Sequence, residues 1–352
     1  MQNCKYLILA DGNSVHTLKW IKELSRYFDI YIISFNSISQ EIEDIVGKKN
    51  IFCFLSNLNV SGGNANILRY VFCVARLIKQ INPHYINAHY ITSYGTMAVL
   101  ASVISGYSGK IISSTWGSDV LVTPWKNKLY YYLTKYVLKK SDIITSDSQY
   151  MTSKISDIYA KANVMTFPFG IEDYPEIRIE EKNKRYVFSN RGLEPNYNID
   201  LVIKIFASLY KEGYVEKLYI AHDGSERKNL QKLVKDFGLS SAVEFLGFMS
   251  LQKQKEYYKK CGLYISVPTS DSTSVSLLEA MAYGCVPIVS NIPANSEWVT
   301  DMKNGLIINN LNDINLEGFD FEKSFKINRR KIAQEAIWRK NVEDYIDNIK
   351  TM

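Results

Sequence analysis

Residues that staple small folds or ligate metals are scarce in this 352-residue chain. Its five cysteines (Cys4, Cys53, Cys73, Cys261, Cys285) form no CxxC pair. Four of them sit in apolar runs, where a thiol behaves as a small hydrophobe, so a disulfide framework is excluded and a reducing compartment is expected. There are four histidines, no Cys/His cluster and no Asp-x-Asp pair, so no metal motif is present. No apolar run approaches the ~20 residues of a membrane span, and Tyr6 to Ala10 is strand length, too short for a secretory leader. With 18 glycines and 8 prolines and no repeat of domain-building length, collagen-like, low-complexity and solenoid classes also fall away.

What is present is ordinary globular material, 46% hydrophobic and 22% charged, long enough for two domains of roughly 100–200 residues each. The net charge of +6 is unevenly spread. Residues 1–170 hold 17 Lys and Arg against 10 Asp and Glu, whereas residues 171–352 hold 25 against 26. A basic half suits phosphates, an anionic membrane or nucleic acid, and charge alone selects none of them.

Short β-rich runs alternate with helical patterns from Lys5 to Phe167, which implies βαβ units and a parallel sheet. The Pro- and charge-rich stretch from Phe167 to Lys184 reads as a linker. A second alternating series follows, from Arg185 to Ile308, and a helical tail runs from Asn328 to Lys350. The expected architecture is α/β, with a Rossmann-like domain over 1–170, a second over 171–325, and a C-terminal helix within 326–352 that packs back on the first. Two such domains in tandem leave a cleft at their facing sheet ends, where ligands of open α/β sheets bind.

The window Ser266 to Pro287 carries the most chemistry. A buried strand ends in a polar loop, and a helix starts near Ser274 with hydroxyl residues placed to cap it. Amides at Thr273, Ser274 and Val275 at a helix start favour an anion. Asp271 and Glu279 flank them with seven residues between. Carboxylates on both sides of an amide-lined phosphate pocket suit a ligand with hydroxyls at both ends and phosphate in the middle, which describes a nucleotide sugar.

This window resembles the Glu-x7-Glu motif of retaining glycosyltransferases of family 4, which have the GT-B fold of two Rossmann-like domains, and the Ala280 to Pro287 run matches as well. The resemblance implies that Asp271, standing where glutamate is usual, binds donor-sugar hydroxyls and that Glu279 binds the ribose. Phe188-Ser189-Asn190-Arg191 is similar to the segment whose arginine grips the diphosphate; Asn196 stands where the family has a lysine. Val243 to Phe248 resembles the segment facing the base, with Phe248 at its end. Ala221 to Glu226 reads equally as a family landmark or a simple strand-to-helix turn.

In the first half, Asp11-Gly12-Asn13-Ser14-Val15-His16 occupies the first strand-to-helix loop, where the family carries a glycine-rich loop. Gly12 permits close backbone approach. His16 reads either as an acceptor-site residue or as a helix-cap residue, and His89, ending a strand, is a candidate of the same kind. Ser114 to Asp119 resembles Thr-x-His-Gly-Ser-Asp with Trp116 in the histidine position. Asp119 reads either as a ligand for substrate hydroxyls or as a turn-stabilising Asx residue.

The resemblance implies a retaining, metal-independent glycosyltransferase that moves a sugar from a nucleotide-sugar donor, a substrate rather than a cofactor, to a glycan or lipid-linked saccharide in surface-polysaccharide biosynthesis. A nucleotide-sugar 2-epimerase of the same fold and a non-catalytic nucleotide-sugar-binding partner subunit are the alternatives. Nucleic acid is not an expected partner, since no binding motif accompanies the charge. Lys126, Lys128, Lys135, Lys139 and Lys140 accompany an aromatic helix, the composition of a helix lying on an anionic membrane. The expected location is therefore cytoplasmic, peripheral on the inner face of the plasma membrane.

Overall fold

The computed structural model describes residues 4–55, 65–310 and 314–351. It divides into two compact units: residues up to Phe167 together with those from Val342 onward, and Pro168–Asn341.

The first unit is built on strands β1 (Lys5–Leu9), β2 (Asp29–Ser34), β3 (Ile51–Cys53), β4 (Tyr85–His89), β5 (Lys110–Ser114), β6 (Ile143–Ser146) and β7 (Val164–Thr166). They pair in parallel in the order β3-β2-β1-β4-β5-β6-β7. The second unit has β8 (Asn183–Ser189), β9 (Lys217–Ala221), β10 (Val243–Gly247), β11 (Cys261–Ser266), β12 (Val286–Ser290) and β13 (Leu306–Ile308), in the parallel order β10-β9-β8-β11-β12-β13. Both orders reverse direction beside the first strand, at β1/β4 and at β8/β11. Such switch points open a crevice outside the carboxyl ends of the strands.

Helices on both faces explain why the central strands are continuous apolar runs. Tyr6, Leu7, Ile8 and Leu9 of β1 and every residue of β11 are buried. The helix Ile199–Lys211 shows the usual logic from the other side, burying Val202, Ile203, Ile205, Phe206 and Leu209 against the sheet.

Several features differ from the sequence reading, the short helix Gln40–Val46 among them. A helix, Gln149–Ile158, joins β6 to β7, as a parallel pair demands. Ser148 caps it and Met151, Ile155 and Ile158 are buried. The stretch after Phe167 is not a free linker: Lys182 is buried and its Nζ donates to the carbonyls of Tyr258 and Cys261, both at 2.7 Å, at the end of helix Leu251–Lys260.

The C-terminal tail is two helices, Phe321–Glu335 and Trp338–Lys350, so the boundary expected at 325/326 lies inside the first of them. The break is imposed by Ile171, whose N–H donates to Ala336 (2.8 Å) and whose carbonyl accepts from Trp338 (2.9 Å). Gly170, at φ +61°, has no room for a Cβ, which would meet the Ala336 carbonyl. The second of these helices passes into the first unit at Val342. There it buries Tyr345, Ile346 and Ile349, with the Tyr345 ring 5.1 Å from Trp20 and its hydroxyl 2.5 Å from that of Tyr6.

Candidate functional site

The second unit gathers its candidate residues at the carboxyl ends of β8 and β11. Arg191 follows β8, and its guanidinium meets the Asp271 carboxylate at 2.8 Å, bonds the Ser274 hydroxyl, and lies 4.4 Å from the centre of the Tyr197 ring. Ser274 caps helix Val275–Ala282 by accepting from the Leu277 N–H. Thr273 and Ser274 are buried, and Val275 begins the helix half-buried. First-turn amides have no carbonyl of their own helix to bond, and the helix dipole is positive there. A cation and a helix N-terminus therefore converge on one point.

Asp271 is more than a counter-charge. Its second oxygen accepts from the Ser272 amide at 3.0 Å, which fixes the carboxylate. Burial pushes its carboxyl above the ordinary range, and Arg191 opposes the rise. Its side chain, one methylene shorter than that of glutamate, reaches Arg191 directly.

Glu279 lies one turn into the helix and accepts from the Tyr258 hydroxyl at 3.1 Å. Tyr258 is fully buried, and burial followed by the Glu279 charge holds its phenol well above the ordinary value, so it remains a donor. The same hydroxyl takes a bond from the Asn190 amide (2.8 Å), which also donates to Gln254 (2.8 Å) while its oxygen accepts from Tyr264 (2.9 Å). Sequence reasoning missed this network. Its only trace was a Tyr-Tyr pair in the otherwise polar helix Leu251–Lys260.

Phe248 follows β10 and is 77% exposed, with its ring edge-on to His222 at 5.6 Å. Burial, and then the charge of Arg191, pull the His222 pKa down. Asn196 uses its carbonyl to accept from the Thr269 amide at 3.0 Å, and Lys204 pairs with Asp200 at 2.8 Å one helical turn away.

In the first unit the candidates cluster differently. The Gly12 N–H donates to Ser34 at 3.0 Å, and an added Cβ would lie 2.8 Å from the Ser37 carbonyl and strike Ile38, so this glycine answers to packing of the 34–39 loop. Ser14, not His16, caps helix Val15–Leu24. The His16 ring lies 4.8 Å from Trp116, and the His89 ring lies 5.2 Å from the same indole. Burial pulls His16 down to about 4 and His89 down to about 3. Both imidazoles are neutral near pH 7. Neither ring nitrogen of His89 has a hydrogen-bond partner among the described residues.

Asp119 gives both carboxylate oxygens to backbone amides. It is 1% exposed, and its two oxygens accept from the amides of Ile91 and Trp116, both at 2.9 Å. Burial raises its pKa to about 6, against the pull of those amides. It ties the end of β4 to the end of β5 and thereby places Trp116. Among the described residues no cluster of three or more His, Cys, Asp or Glu could hold a metal ion, and no helix is long and apolar enough to cross a membrane.

Comparison with known proteins places both halves. Residues 5–148 match the family model described as glycosyl transferase 4-like, and residues 170–317 match glycosyl transferases group 1. The alpha-monoglucosyldiacylglycerol synthase of Streptococcus pneumoniae is 25% identical over 191 residues, 50% of this chain and 43% of that protein. The O-antigen biosynthesis glycosyltransferase WclY of Escherichia coli is 28% identical over 172 residues, 44% of this chain and 46% of its own length. The chain thus spans under half of each of these relatives. Among solved structures, Alr3699/HepE of Anabaena, in complex with UDP, superposes with a TM-score of 0.77 at 14% identity over 99% of this chain and all of that one.

Proposed function

We propose that this chain, which belongs to the group 1 glycosyltransferases and has their α/β GT-B fold, transfers a hexosyl group from a uridine diphosphate sugar to a glycan or lipid-linked saccharide, with retention and without a metal. The carrying observation is the convergence of Arg191, Asp271 and the capped start of helix Val275–Ala282 on one point. The diphosphate would take the Arg191 guanidinium and the amides of Thr273, Ser274 and Val275, a forked cation and a dipole both suited to phosphate. Asp271 would hold sugar hydroxyls, Glu279 the ribose through its Tyr258-held oxygen, and Phe248 the base.

In the transfer, the anomeric C–O bond to the diphosphate breaks and the acceptor hydroxyl oxygen bonds to the same face of that carbon. The hydroxyl proton passes to the departing phosphate oxygen. The chain contributes positioning and stabilisation of the growing phosphate charge, which is where Arg191 acts. No protein nucleophile enters the scheme. His16 and His89, neutral and packed on Trp116, would shape the acceptor side, with Gly12 and Asp119 holding the loops that carry them. Buried histidines whose pKa lies near 3 to 4 poorly suit the acid-base work of an epimerase at neutral pH.

Relatives named for glycolipid and O-antigen synthesis favour a role in surface-polysaccharide or glycolipid assembly, which we place in the cytoplasm at the inner membrane face. The test is incubation of a panel of UDP-hexoses with glycan and lipid-linked saccharide acceptors in excess EDTA. An α-linked product from an α-linked donor is expected. A β-linked product, or activity that vanishes in EDTA and returns with a divalent cation, overturns the reading.

A further inference from the structure

The uneven charge of the first unit has a definite location. Between Ile45 and Ser141 the chain carries eleven Lys and Arg against a single acid, Asp119, and that acid is buried. Three helices from this stretch, Val71–Ile81, Thr96–Ser105 and Lys128–Lys140, pack side by side in one layer on the sheet, the second between the other two. Their solvent faces therefore point away from the sheet together.

Those faces are apolar as well as basic. Helix Lys128–Lys140 buries Thr134, Val137 and Leu138, and on the opposite side exposes Leu129 (67%), Tyr132 (63%) and Tyr136 at three- and four-residue steps. At 100° per residue, Lys128, Lys135 and Lys139 flank this ridge on one side and Lys140 on the other. All four are exposed, and none is engaged in an ion pair among the described residues. Helix Val71–Ile81 repeats the pattern, exposing Phe72 (71%) with Arg76 and Lys79 at i+4 and i+7. Between them, helix Thr96–Ser105 carries no charge and exposes Val103 and Ile104.

A helix whose second face merely met water would gain nothing from a ridge of leucine and tyrosine. A protein partner would be expected to bring acids against these lysines and a shape to fit them, whereas a fluid anionic surface needs only the composition seen. Rings and aliphatic side chains enter the headgroup boundary while lysine stems lie along it with their ammonium groups at lipid phosphates. We infer that this three-helix face docks the protein on an anionic lipid bilayer. The inference rests on charge and packing and not on the transfer reaction, so the two can fail separately.

The test is co-sedimentation of the full chain with vesicles of phosphatidylcholine alone or with one-third phosphatidylglycerol, at low and high salt. Binding is expected to the anionic vesicles and to weaken with salt. At about 1 kcal/mol for each lysine, Lys128→Glu with Lys135→Glu and Lys139→Glu should reduce it by roughly a hundredfold or more. Leu129→Ser with Tyr132→Ser should reduce it while leaving its salt dependence in place. Circular-dichroism melting and UDP binding by each variant verify folding, since none of these residues lies at the donor site. Equal binding to neutral and anionic vesicles, no binding to either, or anionic binding that the lysine reversal leaves intact overturns the inference.

Discussion

The two units have the same strand order about their switch points and opposite chemistry at them. Where β8 and β11 end, the second unit sets an arginine, a carboxylate and a capped helix start within bonding distance. Where β1 and β4 end, the first unit sets two neutral histidines against tryptophan, with the nearby carboxylate of Asp119 consumed by backbone amides. One crevice is polar and charged, the other aromatic. Topology places a site, and the loop residues decide what it can hold.

The contrast is broken most severely by removing the one cation that defines it. Arg191→Ala should lower kcat by about 10²–10³, the usual effect of losing one transition-state donor. Arg191→Lys should recover little, because an ammonium lacks the guanidinium fork. Single-turnover rates with saturating UDP-sugar decide this, and near-normal turnover in the alanine variant would move the leaving-group role elsewhere.

A smaller change separates sugar from phosphate. Asp271 pairs with the guanidinium proposed to hold the diphosphate, so Asp271→Asn should slow transfer by roughly tenfold or more while UDP itself binds at least as tightly as before. Calorimetric titration with UDP reads the second half, and equal losses of UDP affinity and turnover would refute the division of roles. Next in size is Tyr258→Phe, which removes the phenol that donates to Glu279. UDP and UDP-sugar should both weaken by about fivefold, near the worth of one hydrogen bond, with kcat little changed. A selective loss for the sugar nucleotide alone would contradict a ribose contact.

The mildest test addresses the aromatic crevice. His16 and His89 are held neutral, with folded pKa values of about 4 and about 3, below their unfolded values near 6.5. Their contribution is present above pH 6.5 and is lost as pH falls toward those folded values. Asp119, raised to about 6, works the other way between that pH and its ordinary 3.8. Two groups against one leave the first unit destabilised by acid. Melting temperature should drop by several degrees between pH 7 and pH 5, and His89→Leu should flatten the slope. An unchanged slope in that variant would mean that His89 is already charged or exposed.

Much of this was legible in sequence. The central strands, such as β1 and β11, fall on apolar runs bounded by turn residues, because a strand covered on both faces writes its burial into consecutive positions. Helices whose inward residues are few, such as Gln40–Val46 and Gln149–Ile158, leave only a faint period in a polar background. For the second, the parallel pairing of its flanking strands was itself a signal. At the site, Asp271, Ser274, Glu279 and Arg191 could be named because their spacing lies within short windows. Tyr258 and Asn190 bond across 68 residues, and one oxygen of Asp119 accepts from an amide 28 residues away, which no local pattern displays.

The return of the chain at Val342 has a consequence for biosynthesis. The core beneath Trp20 and Tyr6 is closed by Tyr345, Ile346 and Ile349, which leave the ribosome after the whole of the second unit. The unit made first is therefore completed late, and until then its apolar floor is open to solvent and to other chains. At roughly 5–20 residues per second, the interval after Phe167 emerges lasts on the order of 10–30 s. Nascent-chain capture should find this protein protected by chaperones through that interval, and shortening the chain before Tyr345 should send the first unit to aggregates even though its sheet is fully encoded.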